Sequence, residues 1–200
     1  VVWLGRLSNA SSTAAWTLME NAETVDDFGT IAEQEKNTPA GNWARLRVAE
    51  LNLRSGGDAL FTDRELAKSD LARARDGFEQ LVSSSSSGPV IRERALWGLA
   101  LCLESLSDGD TTKAIAAYQR LLQDFPDSIY KTTAEERIAA LKTGGATEFY
   151  AWFDKLNPKP ADIRPNDGKL KGGVEDPAAS ASEKALGSDV ESTEKPPSSP

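Results

Sequence analysis

Two segments of this chain, forty positions apart, carry apolar residues with the same spacing of i, i+4, i+7 and i+8. They are Ala74, Phe78, Leu81 and Val82, matched by Ala114, Tyr118, Leu121 and Leu122. This spacing places each set on one stripe of an α-helix. A stripe that recurs at a fixed period is typical of stacked structural repeats, so the pattern predicts an all-α solenoid of antiparallel helix pairs with a concave surface.

Helical periodicity and turn residues predict eight helices. Their predicted ranges are 11–21, 24–37, 40–55, 64–82, 90–106, 111–124, 129–142 and 147–156. The third helix is expected to stop at Gly56-Gly57 and the seventh at Gly144-Gly145, because glycine just after the last periodic residue commonly ends a helix. Ser128 or Asp127 is the expected N-cap of the seventh helix.

The fifth predicted helix is apolar on nearly every side and is therefore expected at the centre of the fold. The last helix is rich in aromatic residues, which suits a segment that covers the exposed end of a repeat stack. Four tryptophans lie within apolar helical patterns, and core packing is their expected role. These are Trp16, Trp43, Trp97 and Trp152.

Composition divides the chain into three parts. Every Trp, Tyr and Phe lies at or before Phe153, whereas seven of the ten prolines lie beyond it. Residues 157–200 are rich in Pro and Ser and have too little apolar surface to form a core, so they are predicted to be a disordered tail. Residues 11–156 form the predicted repeat domain, and residues 1–10 form an N-terminal linker.

The first five residues, Val-Val-Trp-Leu-Gly, leave two interpretations open. They are either a frayed start or the end of a membrane anchor, with Trp3 at the level of the membrane interface. Five apolar residues are far fewer than the roughly 20 that cross a bilayer.

The net charge and the residue types present in the chain exclude several classes of function. The formal net charge is −8 and no cluster of Lys and Arg is present, which argues against a nucleic-acid partner. The chain has no His, so it lacks imidazole metal ligands and the commonest general base. No Gly-rich phosphate loop, calcium loop or activated nucleophile is present. We therefore expect a protein that is not an enzyme and that needs no cofactor or metal.

The segment from Ala95 to Pro126 resembles a tetratricopeptide repeat, a family built from two antiparallel helices of about 34 residues. In this resemblance Ala114 is the small contact residue of the second helix, Tyr118 its aromatic residue, and Pro126 the terminating proline. Either Ala100 or Cys102 corresponds to the small residue of the first helix. Residues 43–82 resemble a degenerate second copy, and residues 24–37 resemble half of a third.

The sequence around Tyr118 to Ser128 is similar to repeats of bacterial envelope proteins, most of all to the YfgM-like ancillary subunits of the Sec translocon. That resemblance implies an N-terminal membrane helix, with the repeats on the extracytoplasmic side of the inner membrane. The implied function is a protein-interaction scaffold that assists complex assembly or handles translocated chains. The alternative is a regulatory or localising repeat segment of a larger enzyme or assembly, and a cytoplasmic location otherwise stays open.

Two sets of candidate residues follow from the resemblance. The first helices of such pairs line the concave surface, and Arg can bind a carboxylate through two hydrogen bonds. The candidate partner-binding residues are Arg45, Arg47, Arg54, Arg92, Arg94 and Lys113. The candidate repeat-packing residues are Ala74, Phe78, Leu81, Trp97, Ala114, Tyr118, Leu121 and Pro126.

Overall fold

The computed structural model describes residues 13–159, and the structure is helical over this range, with no strand. Residues 13–21 are helical and are called α1. The other helices are α2 (Val25–Gln34), α3 (Pro39–Ala59), α4 (Arg64–Ser83), α5 (Pro89–Ser105), α6 (Thr112–Asp124), α7 (Lys131–Leu141) and α8 (Gly144–Lys155). The predicted linker at 1–10, residues 11–12 of the first predicted helix and residues 160–200 of the predicted tail lie outside the described residues. Residues 157–159 of the predicted tail are described, and the carbonyl oxygen of Pro158 accepts a hydrogen bond from the N–H of Arg64 at 3.1 Å.

The helices pack in sequence order, which confirms the prediction of a stacked all-α fold. Short connections at 60–63 and 106–111 fold α4 back against α3 and α6 back against α5. Across the two pairs, α5 contacts both α4 and α3. The apolar helix α5 therefore lies at the centre, as its composition predicts, and the first helices of the two pairs lie side by side.

Polar side chains cap the first turns of α2, α3 and α4. Thr24 and Asp27 form a capping box at α2, in which each side chain accepts a hydrogen bond from the other residue's backbone N–H. Thr38 caps α3 and is followed by Pro39, whose fixed φ suits the first helical position. The Asp63 carboxylate accepts from the N–H of Leu66 at 3.0 Å and caps α4.

The predicted stop at Gly56-Gly57 is wrong, because α3 continues through both glycines to Ala59. Gly56 is buried against α4, and a Cβ added there would lie 2.7 Å from Leu71 Cγ and 3.1 Å from the carbonyl oxygen of Ala67. The missing side chain allows the two helices to approach closely. Gly56 thus serves helix packing within the pair and does not end the helix.

The seventh helix ends at Leu141, one residue before its predicted end, but Gly144-Gly145 do not stop it, since these glycines form the first turn of α8. Thr143 caps that turn by accepting from the N–H of Ala146 at 3.3 Å. The predicted N-cap of α7 is displaced as well. Ser128 Oγ accepts from the N–H of Tyr130 at 3.1 Å in the turn before the helix, which begins at Lys131.

A continuous apolar core runs through both helix pairs and into α7. Six of the candidate repeat-packing residues are buried in it: Ala74, Phe78, Leu81, Ala114, Tyr118 and Leu121. Trp97 packs against this core while half-buried, and Pro126 is exposed in the turn after α6. Ala100 and Cys102, the two alternatives for the small residue of α5, are both fully buried.

The prediction that all four tryptophans pack in the core is wrong for two of them. Trp16 and Trp152 are exposed, and Trp43 and Trp97 are half-buried. The ends of a short stack have no further repeat to cover their helices, which leaves apolar positions of α1 and α8 in contact with solvent. Between residues 13 and 159, no helix combines the length with the hydropathy that a bilayer span requires.

Candidate functional site

A carboxylate joins the first helices of the two pairs on one face of the stack. Glu50 of α3 accepts a hydrogen bond at Oε1 from Nη2 of Arg94, in α5, at 2.6 Å. Its other oxygen, Oε2, accepts from Nη1 of Arg47 at 2.7 Å. Arg47 and Glu50 are three residues apart and thus neighbours on the helix surface. Glu50 therefore holds two arginines from two different helices in one place.

Aromatic rings flank both guanidinium groups. The guanidinium carbon of Arg94 lies 5.5 Å from the centre of the Trp43 ring, and that of Arg47 lies 5.7 Å from the centre of the Phe28 ring. Both distances fall within the range of cation–π attraction. The rings and the carboxylate together restrict the arginine side chains, so less conformational entropy is lost when the arginines bind a partner.

A pair of stacked aromatic rings, Trp97 and Tyr130, extends the surface around these arginines toward the start of α7. The rings of Trp97 and Tyr130 stack with their centres 4.8 Å apart and their planes inclined by 4°. Partial burial raises the pKa of Tyr130, with Glu93 and Glu50 acting in the same direction and Arg94 opposing them. Tyr130 thus lies in the electrostatic environment of the Glu50 carboxylate and its arginines.

We call this surface the arginine–tryptophan face. It consists of Trp43, Arg47 and Glu50 from α3, Arg94 and Trp97 from α5, and Tyr130. Within this set Arg47 and Arg94 share the Glu50 carboxylate, and Glu93 adds a second carboxylate close enough to Tyr130 to raise its pKa. Each guanidinium uses one nitrogen for Glu50 and is about two-fifths exposed, so its remaining N–H groups can bind a carboxylate or a backbone carbonyl. The half-buried rings beside them can contact apolar side chains of the same ligand.

Of the six candidate partner-binding residues, the structure brings only Arg47 and Arg94 together. Arg45 lies on the flank toward α2, with Nη2 at 3.5 Å from the carbonyl oxygen of Ala32. The other three lie apart from the arginine–tryptophan face. Arg54 lines a recess at the α3–α4 turn, Arg92 lines a groove between the ends of α4 and α6, and Lys113 is exposed in the first turn of α6.

Four residues of the face were not among the candidates for partner binding. Trp43 and Trp97 were assigned to the core because aromatic residues at helical spacing are usually buried. Glu50 has a local signal, the three-residue spacing from Arg47, but its second partner Arg94 is 44 positions away. Tyr130 falls within the predicted seventh helix but lies in the turn before α7, so the predicted helix does not give its neighbours.

No group of three or more potential metal ligands is found between residues 13 and 159. Cys102 is fully buried, and burial raises the pKa of its thiol to about 12. Since the thiolate is the nucleophilic form, this thiol is inert at neutral pH.

We therefore expect a thiol reagent to leave Cys102 unmodified in the folded protein at neutral pH and to modify it fully in denaturant, as measured by mass spectrometry. Rapid modification of the native protein at pH 7 would show that α5 opens locally.

The raised pKa of the Cys102 thiol also makes the stability of the fold depend on pH. The neutral thiol contributes to the free energy of unfolding, and this contribution is fully present below pH 9.0, the pKa of the thiol in the unfolded chain. It is lost as the pH rises toward 12.

The geometry defines a helical-repeat protein whose exposed face combines arginines and aromatic rings. Residues 94–128 match the family model described as Tetratricopeptide repeat, which includes Arg94, Trp97 and the whole of α6. The match supports placing this segment in the tetratricopeptide repeat family, whose members are generally non-enzymatic scaffolds that bind other proteins. It does not extend to the narrower YfgM-like group. No curated protein and no solved structure matches the chain.

Proposed function

We propose that this chain is a protein-interaction scaffold that binds an extended polypeptide segment across its arginine–tryptophan face. The observation that carries the proposal is the Glu50 carboxylate, which holds Arg47 and Arg94 in one place, with the Arg94 guanidinium against the half-buried ring of Trp43. A preformed surface of this kind loses little entropy on binding. Its charge and rings favour segments in which a carboxylate lies beside a large apolar side chain.

The proposal includes a location. We infer that the scaffold is tethered to the bacterial inner membrane and exposes its repeats on the extracytoplasmic side, where it assists complex assembly or the handling of translocated chains. The resemblance of residues 118–128 to envelope repeat proteins supports this inference. Two experiments test this inference: sequencing of the full open reading frame, and fractionation of cells that express it. An apolar segment of about 20 residues before Val1 and a protease-accessible repeat domain in the inner-membrane fraction are expected.

Charge reversal at Arg47 or Arg94 is expected to weaken binding of an acidic, unfolded polypeptide. A suitable probe is a reduced and carboxymethylated protein chain, with the affinity measured by isothermal titration calorimetry. Each reversal, Arg47→Glu or Arg94→Glu, should raise the Kd at least about thirtyfold, the factor that corresponds to a binding hot spot of about 2 kcal/mol.

The matched controls are Arg92→Glu and Lys113→Glu, which change the net charge by the same amount outside the arginine–tryptophan face. They should alter the Kd by less than about threefold, the range of a long-range electrostatic effect. Circular dichroism should show unchanged helix content in all four variants. Equal losses of affinity at all four positions would mean that only net charge matters and would contradict the proposed site.

A further inference from the structure

A second exposed aromatic surface lies on α8, apart from the arginine–tryptophan face. Phe149 is 47% exposed and Trp152 is 45% exposed, and their ring centres are 5.9 Å apart. Phe61, which is 57% exposed, extends the surface through contacts of the buried Phe153 with both Phe61 and Phe149. Large aromatic side chains with little charge between them are the compositional mark of the centre of a protein interface.

The opposite side of α8 contacts α4 and α5 through side chains. The guanidinium carbon of Arg64, at the start of α4, lies 4.4 Å from the centre of the Phe153 ring. Lys68 Nζ lies 3.0 Å from Asp154 Oδ1, and the Tyr150 hydroxyl donates to the buried Glu104. These contacts fix the rotation of α8 about its axis. Phe149 and Trp152 are therefore presented outward on a preformed surface.

Two unpaired charges of opposite sign lie at the two ends of this exposed face. Glu148 precedes Phe149, and Lys155 follows Trp152 three residues later. Both are exposed, and neither makes an ion pair with another residue between 13 and 159. Seven residues of α-helix separate them by about 10 Å along the axis.

This arrangement is complementary to itself. If two copies of α8 pack antiparallel around a two-fold axis near Trp152, each Glu148 lies opposite the partner subunit's Lys155. The two Trp152 rings then meet at the centre, with one Phe149 on each side. A parallel arrangement would instead place like charges beside each other.

We propose that the chain forms a homodimer through the exposed face of α8, with antiparallel packing around Trp152. The occupant of this aromatic surface is thus a second copy of the chain. The charge pattern supports a second copy over a foreign partner, because α8 itself carries both the acidic and the basic residue that the ion pairs between subunits need. The dimer leaves the arginine–tryptophan face of both subunits outside the contact, so it does not depend on the function proposed for that face.

Sedimentation equilibrium of the full chain, from micromolar to millimolar concentration, tests the dimer directly. The wild-type chain should give a concentration-dependent average mass that approaches twice the monomer mass. Trp152→Ala should raise the dimer Kd on the order of a hundredfold, because a two-fold interface loses the central ring twice. Val90→Ala truncates an exposed apolar residue in the first turn of α5. This change should leave the dimer Kd unchanged.

Charge exchange tests the antiparallel arrangement. Glu148→Lys alone and Lys155→Glu alone each place like charges opposite one another and should both give monomers. The double variant, and an equimolar mixture of the two single variants, should restore the dimer because opposite charges face each other again. Circular dichroism confirms that each variant is folded.

Three results would overturn the proposal. A wild-type chain that stays monomeric at millimolar concentration excludes the dimer. A dimer that persists in Trp152→Ala uses another surface. Failure of both the double variant and the mixture to dimerise rules out the antiparallel pairing of Glu148 with Lys155. None of these results bears on peptide binding by Arg47 and Arg94, so the two proposals fail independently.

Discussion

Replacing Glu104 with alanine is expected to lower the free energy of unfolding by about 2–4 kcal/mol, because two tyrosine hydroxyls lose their buried acceptor. Glu104 is 6% exposed and lies near the end of α5. Its Oε2 accepts from the Tyr118 hydroxyl at 2.8 Å and from Arg137 Nε at 3.2 Å. Its Oε1 accepts from the Tyr150 hydroxyl at 2.6 Å and pairs with Arg137 Nη2.

These contacts tie α5 to α6, α7 and α8 through one carboxylate. Removal of Glu104 leaves two buried or half-buried hydroxyls without their acceptor and Arg137 without its partner. Urea unfolding followed by circular dichroism measures the effect, and Glu135→Ala, at an exposed carboxylate of α7, is the matched control. A loss below about 1 kcal/mol for Glu104→Ala would mean that water replaces the carboxylate at little cost, and would contradict the central role of this network.

Replacing Phe78 with alanine is expected to cost about 3–5 kcal/mol, because the change removes a large apolar side chain and leaves a cavity in the core. Phe78 is 1% exposed in α4, and its ring lies directly against Gly98 of α5. A Cβ added at Gly98 would lie 2.3 Å from Phe78 Cζ. The ring therefore fills the space between the two helix pairs.

Ile129→Ala provides the comparison for this substitution, since it truncates a large apolar side chain at a position that is 85% exposed. Its cost should stay below about 1 kcal/mol, as expected for surface substitutions. Equilibrium unfolding in urea gives both values under the same conditions. Similar costs for the two variants would show that Phe78 is not the residue that joins the pairs.

Local sequence rules predicted the number, order and packing of the helices because the apolar stripes are long and regular. The same rules misassigned the roles of two glycine pairs, Gly56-Gly57 and Gly144-Gly145. Gly56 has the composition of a stop signal, yet it lies within α3 because the missing side chain accommodates Leu71 of α4. Whether a glycine ends a helix or admits a neighbouring one depends on a segment that is distant in sequence, so helical periodicity alone cannot decide between these roles.

The candidate site was predictable only in part, for a related reason. Arg47 and Arg94 follow from the expectation that first helices line one surface. Trp43 and Trp152 have similar apolar surroundings in sequence, but one lies beside the Arg94 guanidinium and the other is exposed at the end of the stack. The fraction of an aromatic ring that stays exposed is set by which helices cover it. That information lies in the tertiary packing and not in the spacing of the residues.

The indole N–H resonances of the five tryptophans report directly on where a polypeptide binds. In a heteronuclear NMR titration with the carboxymethylated probe, the signals of Trp43 and Trp97 are expected to shift with saturation, while those of Trp16 and Trp152 stay in place. Single Trp→Phe variants assign the signals. Saturable shifts confined to Trp16 or Trp152, or the absence of any shift at probe concentrations well above micromolar, would contradict binding at the arginine–tryptophan face.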